Sequence, residues 1–248
     1  MAPTPLDAMR RNRLLAALPP ADAEALAPHL EPIALRRGFY IERPGEPVSH
    51  VYFPLSGMGS VVAVGDRHRD QRIEAGVFGR EGMSGLAVVL GDGRSPHEAF
   101  VQIPGEGLRL PADALREVLD ARPEVRRVLL LYVQAWMVQT AHTVLAQGRA
   151  KLEERLARWL LMSHDRSEGD DLPLTHEFLA LMLGVRRAGV TMATHLLEAR
   201  GVIQAARGRL AVLDREGLEE VAGGTYGVPE AEYRRLLGPP ASSGARRA

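Results

Sequence analysis

Cysteine is absent from this chain of 248 residues. That absence excludes disulfides, thiolate metal sites, cysteine nucleophiles and cysteine-ligated iron–sulfur clusters together. The stretch from Met1 to Arg13 has no apolar h-region, and no apolar run reaches membrane-spanning length. The sequence therefore predicts a soluble, cytoplasmic protein without a membrane partner. An excess of one charge is also missing, since Lys+Arg and Asp+Glu both number 31. A zero balance argues at first against a nucleic-acid partner, but it averages over the whole chain. Between Leu174 and Leu213, Arg186, Arg187, Arg200, Arg207 and Arg209 are set against only Glu177 and Glu198. That block is modestly basic and permissive for DNA.

Catalytic signatures are missing as well. The glycines from Phe78 to Gly85 are not followed by Gly-Lys-Ser/Thr, so they form no phosphate loop and suit β-turns better. Serine, histidine and aspartate fall in no nucleophile-elbow arrangement. His50, His68, His97 and His142 are isolated, without metal-ligand spacing. The sequence predicts no enzyme, no metal and no cofactor.

What is present is globular: 46% hydrophobic and 25% charged, enough for one large core or two modest ones. Short helices are expected over Asn12–Leu18 and Ala21–Leu30, split by Pro19-Pro20. From Ile33 to Leu110, short apolar runs are punctuated by Gly and Pro, as at Arg43-Pro44-Gly45-Glu46-Pro47 and Gly91-Asp92-Gly93. Val51–Leu55 and Gly59–Val64 flank Ser56-Gly57, which is a hairpin signal. Many short strands at close spacing suggest an antiparallel roll or jelly roll.

Pro111-Ala112-Asp113 opens a helical stretch, and Pro123 begins a longer helix running to about Gln147. That helix is apolar nearly all round, so more than one of its faces must be covered. One face suits the β-domain. The other suits an identical helix across a two-fold axis, with Leu129, Tyr132 and Trp136 as the expected dimer contacts. The plainer alternative is the central helix of a single large core. Lys151–His164 reads as an amphipathic helix with Leu152, Leu156, Trp159 and Leu160 inward, and Asp165–Leu172 as a polar loop.

Thr175 can cap a helix carrying Leu179, Met182 and Leu183, and Gly184 suits a left-handed stop. Ala188–Ala199 reads as a second helix, burying Val190, Ala193, Leu196 and Leu197 and ending at Arg200-Gly201. Helix, glycine turn and helix make a helix-turn-helix, whose second helix enters the major groove. Val202-Ile203-Gln204 and Leu210-Ala211-Val212 around Arg207-Gly208-Arg209 add a basic wing. An ordinary helical hairpin in a core has no need of Arg186 and Arg187 at its second helix, or of a basic hairpin beside it.

In this order of parts, the chain from about Leu14 to Leu213 resembles the Crp/Fnr superfamily of bacterial regulators. The resemblance implies an α+β fold: an N-terminal antiparallel β-roll, a long dimerisation helix and a C-terminal winged helix-turn-helix. It divides the chain into a cyclic-nucleotide-binding-like sensor (14–115), a dimerisation helix (116–148), a DNA-binding domain (149–215) and a tail (216–248). The family's recognition helix carries an Arg-Glu pair and a further Arg. Here Arg187 matches the first, while Ala188 and Met192 replace the others. By similarity Thr175, His176, Arg186, Thr191, His195, Arg207 and Arg209 would hold phosphates or nearby bases of double-stranded DNA.

Cyclic-nucleotide-binding relatives combine Gly-Glu with a downstream Arg-Ser, the arginine neutralising the phosphate and the glutamate holding the ribose. Arg94-Ser95 matches the second half, but Met83-Ser84 stands where Gly-Glu belongs. Pro96 removes a donor from the same loop. Ser84, Arg94 and Ser95 are thus the candidate ligand residues of a degenerate site, with Arg94 otherwise a solvated loop arginine. Three readings stay open. The chain is a homodimeric transcription factor, with a small-molecule effector of unknown identity and RNA polymerase as partner if it activates. Or it answers a cyclic nucleotide through a reorganised pocket. Or it is a β-roll protein-interaction module that does not bind DNA.

Overall fold

The computed structural model describes residues 5–65 and 71–238, so His68 and the end of the tail lie outside the described residues. Three short helices lead in: α1 (Pro5–Met9), α2 (Arg13–Ala16) and α3 (Pro20–Leu26), the last followed by a 3-10 turn at Ala27–His29. Pro20 opens α3, where its missing N–H costs nothing. Buried Asn12 caps α2 by accepting from the Leu14 and Leu15 N–H groups. Its amide also donates to Pro54 O and Gly82 O, both at 2.9 Å, fastening these helices to the β-domain.

The β-domain comprises β1 (Glu31–Leu35), β2 (Tyr40–Glu42), β3 (His50–Pro54), β4 (Met58–Val64), β5 (Arg72–Phe78), a helical turn α4 (Leu86–Val89), β6 (Glu98–Ile103) and β7 (Gly105–Pro111). They form two antiparallel sheets, ordered β1-β7-β3 and β2-β6-β4-β5. The expected hairpin of Val51–Leu55 with Gly59–Val64 does not form. β3 pairs with β7, and β4 pairs with β5 and β6. The chain instead turns a corner between sheets at Gly57, alongside the β6–β7 corner. A Cβ on Gly57 would lie 2.5 Å from Ile103 O, and one on Gly105 would lie 2.3 Å from Ser56 O. Val51, Tyr52, Phe53 and Pro54 are all buried, so this strand needs cover on both faces, which a lone hairpin cannot supply.

Then come α5 (Ala112–Ala121), α6 (Pro123–Arg149) and α7 (Leu152–His164). By length and composition α6 could cross a membrane, contrary to the sequence expectation, with mean hydropathy 1.3 over its most apolar stretch. Its apolar surface is divided. Leu129 and Tyr132, expected at a dimer contact, are 1% and 3% exposed because they pack into the chain's own core with β3 and α5. Trp136 is half-buried. Met137 and Val144, by contrast, are 58% and 66% exposed.

The C-terminal part holds β8 (Asp171–Leu172), α8 (His176–Leu183), α9 (Arg187–Ala199), β9 (Ile203–Ala206), β10 (Arg209–Val212), α10 (Arg215–Val221) and α11 (Val228–Leu237). The wing has three strands rather than two, in the order β8-β10-β9. Its third strand comes from the expected polar loop, in which Arg166 and Ser167 are also buried. Two helices occupy what the sequence assigned to a tail. Asp214 caps α10 by accepting from Gly217 N, and the Glu230 carboxylate accepts from Gly227 N at the start of α11. The core of this part is shared: Met58, Val62, Val77, Phe100 and Ile103 of the roll belong to the same buried cluster as α7, α8 and α9.

Candidate DNA-binding face and sensor sites

The helix-turn-helix is built by local chemistry. Thr175 Oγ1 accepts from Phe178 N at 3.3 Å, capping the N-terminal end of α8. Gly184 ends the helix at φ 63°, a left-handed position that favours glycine. Val190, Ala193 and Leu197 are buried as expected, together with Thr194. Leu196 is not, being 45% exposed. It stands beside His195 on the outer face, where Thr194 rather than Leu196 turns inward.

That outer face carries Arg187, Ala188, Thr191, Met192 and His195, with Thr191 partly covered and the rest exposed. His176 Nδ1 lies 3.1 Å from Thr191 Oγ1, and Thr191 donates to Arg187 O, so these three residues tie α8 to α9. The His176 imidazole is held below its ordinary pKa of 6.5, first by burial and then by the Arg187 and His195 charges. Arg186, Arg187 and Arg207 are exposed and have no carboxylate within ion-pair distance among the described residues. Arg209 meets Asp171 at 3.3 Å, but both are more than half exposed and the pair is well screened.

The three candidate ligand residues of the roll are each engaged in separate bonds of their own. Ser84 is buried and its hydroxyl accepts from Tyr52 N at 3.0 Å. Ser95 is buried and bonded within its own turn to His97. Arg94 is exposed and donates to Gly45 O at 2.7 Å. None of them borders the cavities at the roll–helix junction, behind α7 or beside α8. The Gly85 N–H, at the start of α4, is taken by the Glu42 carboxylate at 2.7 Å. Sequence reading missed Glu42, which gives no local signal of its pairing 43 residues away.

A second polar region lies where the roll meets α7. Glu74 is buried and its carboxylate accepts from Trp159 Nε1 at 2.8 Å, Ser60 Oγ at 2.6 Å and Gln102 Nε2 at 3.3 Å. Burial pushes its pKa up to about 7 against the opposing effect of the Ser60 and Trp159 bonds. Nearby, Glu81 of the roll and Arg166 form a largely buried ion pair at 2.7 Å.

A family model described as a cyclic nucleotide-binding domain matches residues 32–122, and one described as a Crp-like helix-turn-helix domain matches residues 154–221. The chain is 25% identical over 218 residues to the CRP-like cAMP-activated global transcriptional regulator of Mycobacterium tuberculosis, covering 85% of this chain and 96% of that protein. FixK2 from Bradyrhizobium japonicum is similar in structure at TM-score 0.63 and 18% identity, covering 77% of this chain and 96% of that one. A CRP/FNR-family transcriptional regulator from Thermus thermophilus is similar at TM-score 0.62 and 22% identity, covering 79% of this chain and 100% of that one. These two likenesses establish the fold.

Proposed function

Because this chain belongs to the Crp/Fnr family of DNA-binding transcriptional regulators, which are not enzymes, we propose that it reads an inverted repeat in the cytoplasm as a homodimer and answers an effector other than a cyclic nucleotide. The observation that carries the DNA reading is the face made by α9 and the wing, where exposed Arg186, Arg187 and Arg207 have no acidic partner among the described residues. Arg187 reads a guanine edge by a bidentate bond, while Arg186, Arg207 and Arg209 hold phosphates. Thr175, His176, Thr191 and His195 border the same groove surface. RNA polymerase is a partner if the chain activates.

Dimerisation follows from α6. Leu130, Gln134, Met137, Ala141 and Val144 recur at alternating spacings on its outward side, all exposed. That is a heptad seam, and a second copy of α6 covers it. Two recognition helices then meet half-sites one helical turn, roughly 34 Å, apart. Replacing Met137 and Val144 by glutamate yields monomers in sedimentation with much weaker operator affinity.

Operator selection from genomic fragments, followed by titration, tests the DNA reading. Arg187→Ala costs about 1–3 kcal/mol and relaxes preference at one base pair per half-site. Arg209→Ala weakens every duplex and flattens the salt dependence. If both variants bind like the wild type, the face is misassigned and the chain is better read as a protein-interaction module.

A further inference from the structure

A cavity of about 580 Å³ lies where the roll, α6, the end of α7 and α11 converge. That is the size of a small-molecule site, and a junction between structural parts is where such sites concentrate. Its α11 wall lies beyond the residues that either family model matches.

The lining groups divide sharply into those already committed and those left over. Every acid is engaged: Glu81 by Arg166, Asp165 by Arg215 and Tyr226, Asp170 by His164, and Glu230 by Gly227 N. The tyrosine hydroxyls are engaged too, Tyr132 to Met83 O, Tyr233 to Glu81 O and Tyr226 to Asp165. His164 spends both ring nitrogens, on Asp170 and Arg215. What remains is cationic and aromatic, apart from the Gln139 amide nitrogen. Arg13, Arg80 and Arg234 have no carboxylate within ion-pair distance among the described residues. Arg80 donates one bond to Asp165 O at 3.0 Å, and its buried Nε has no partner. Arg13 and Arg80 are close enough that, after burial, the Arg13 charge is the main influence disfavouring the charged Arg80. Glu81, Glu168 and Asp165 favour the charged Arg80 from a distance, but among the described residues no carboxylate pairs with either guanidinium, which leaves room for an anion. The same cavity is also lined by Trp136, Tyr132 and Tyr233.

We propose that this junction cavity binds a small aromatic carboxylate, its anion held by Arg80, Arg13 and Arg234 and its ring against Trp136 and the tyrosines. The committed hydroxyls and acids argue against a nucleotide, whose ribose hydroxyls would find no free acceptor among these side chains. A ligand so placed touches the sensor through Arg80 and the DNA-binding part through the walls at Asp165 and Arg215. Control of DNA binding by this ligand rests on the regulator reading above. The binding itself does not.

Calorimetry of the full chain without DNA, using 2-naphthoate as probe, tests the site. One saturable event per chain is expected, with quenching of tryptophan fluorescence from Trp136. Inorganic phosphate and neutral 2-naphthol, carrying the charge or the ring alone, give no saturable binding, and cyclic AMP gives none at this site. Arg80→Gln and, separately, the exposed Arg234→Gln weaken 2-naphthoate by roughly ten-fold or more, as expected for losing a charged hydrogen bond. Arg234→Gln guards against misfolding, since its thermal unfolding should match the wild type. No saturable binding of 2-naphthoate, or binding that both variants leave unchanged, overturns the proposal. A chain that binds no duplex would sink the regulator reading and leave this result standing.

Discussion

The roll's cassette and the junction beneath it hold similar side chains in opposite conditions. At the cassette, Ser84 and Ser95 are absorbed into backbone bonds, Arg94 points to a neighbouring loop, and Glu42 takes the Gly85 N–H at the start of α4. At the junction, a buried ion pair and unmatched guanidiniums surround open space, while buried Glu74, its pKa pushed up to about 7, lines a smaller cavity behind α7. A polar group fully satisfied by its own chain has little to offer a ligand, because binding must first break an existing bond. The scaffold is that of a cyclic-nucleotide domain, yet the groups free to respond lie between roll and helix-turn-helix.

The largest difference between the two regions is expected in stability. Arg166→Ala leaves the Glu81 carboxylate buried and unpaired, at a cost of about 3–5 kcal/mol in denaturant unfolding. An equally stable variant would mean that the junction pair is as dispensable as a surface one. Next comes Glu74. Its raised pKa means that the folded state holds a proton more tightly than the unfolded chain. That stability is fully present below the unfolded value of 4.5 and lost as pH rises through about 7, a total of about 3 kcal/mol. Glu74→Gln removes this loss, so its unfolding profile between pH 5 and 8 is flatter than that of the wild type. Parallel profiles for the two proteins would place the titration elsewhere. In the cassette the effects are smaller. Ser84→Ala strands the Tyr52 N–H and costs about 1 kcal/mol, and exposed Arg94→Ala stays within about 0.5 kcal/mol. A larger loss from Arg94 than from Ser84 would show that the cassette still carries a function.

The same contrast explains what could be read in advance. The helix-turn-helix was legible because its signals are local: a threonine cap, a left-handed glycine and apolar residues at helical spacing. The strand pairings were not, since β3 and β4 look like a hairpin until distant β7 and β6 claim them. The faces of α6 were ambiguous because apolar residues surround it, and only the partner decides which are buried. Leu129 and Tyr132 went to the roll, leaving Met137 and Val144 outside. Arg166 sat in a stretch that reads as a polar loop, and its partner Glu81 is 85 residues away. The α11 wall was likewise hidden, because its helix is short and its apolar residues find their partners on α6.

The claim that control has left the cassette meets its most direct test in one titration. Full-length protein is titrated by calorimetry with cyclic AMP and cyclic GMP, and operator affinity is measured with and without each. Neither nucleotide should bind at micromolar concentration, and operator affinity should stay unchanged. Micromolar binding that also tightens the operator complex would contradict the account and restore the roll as the sensor.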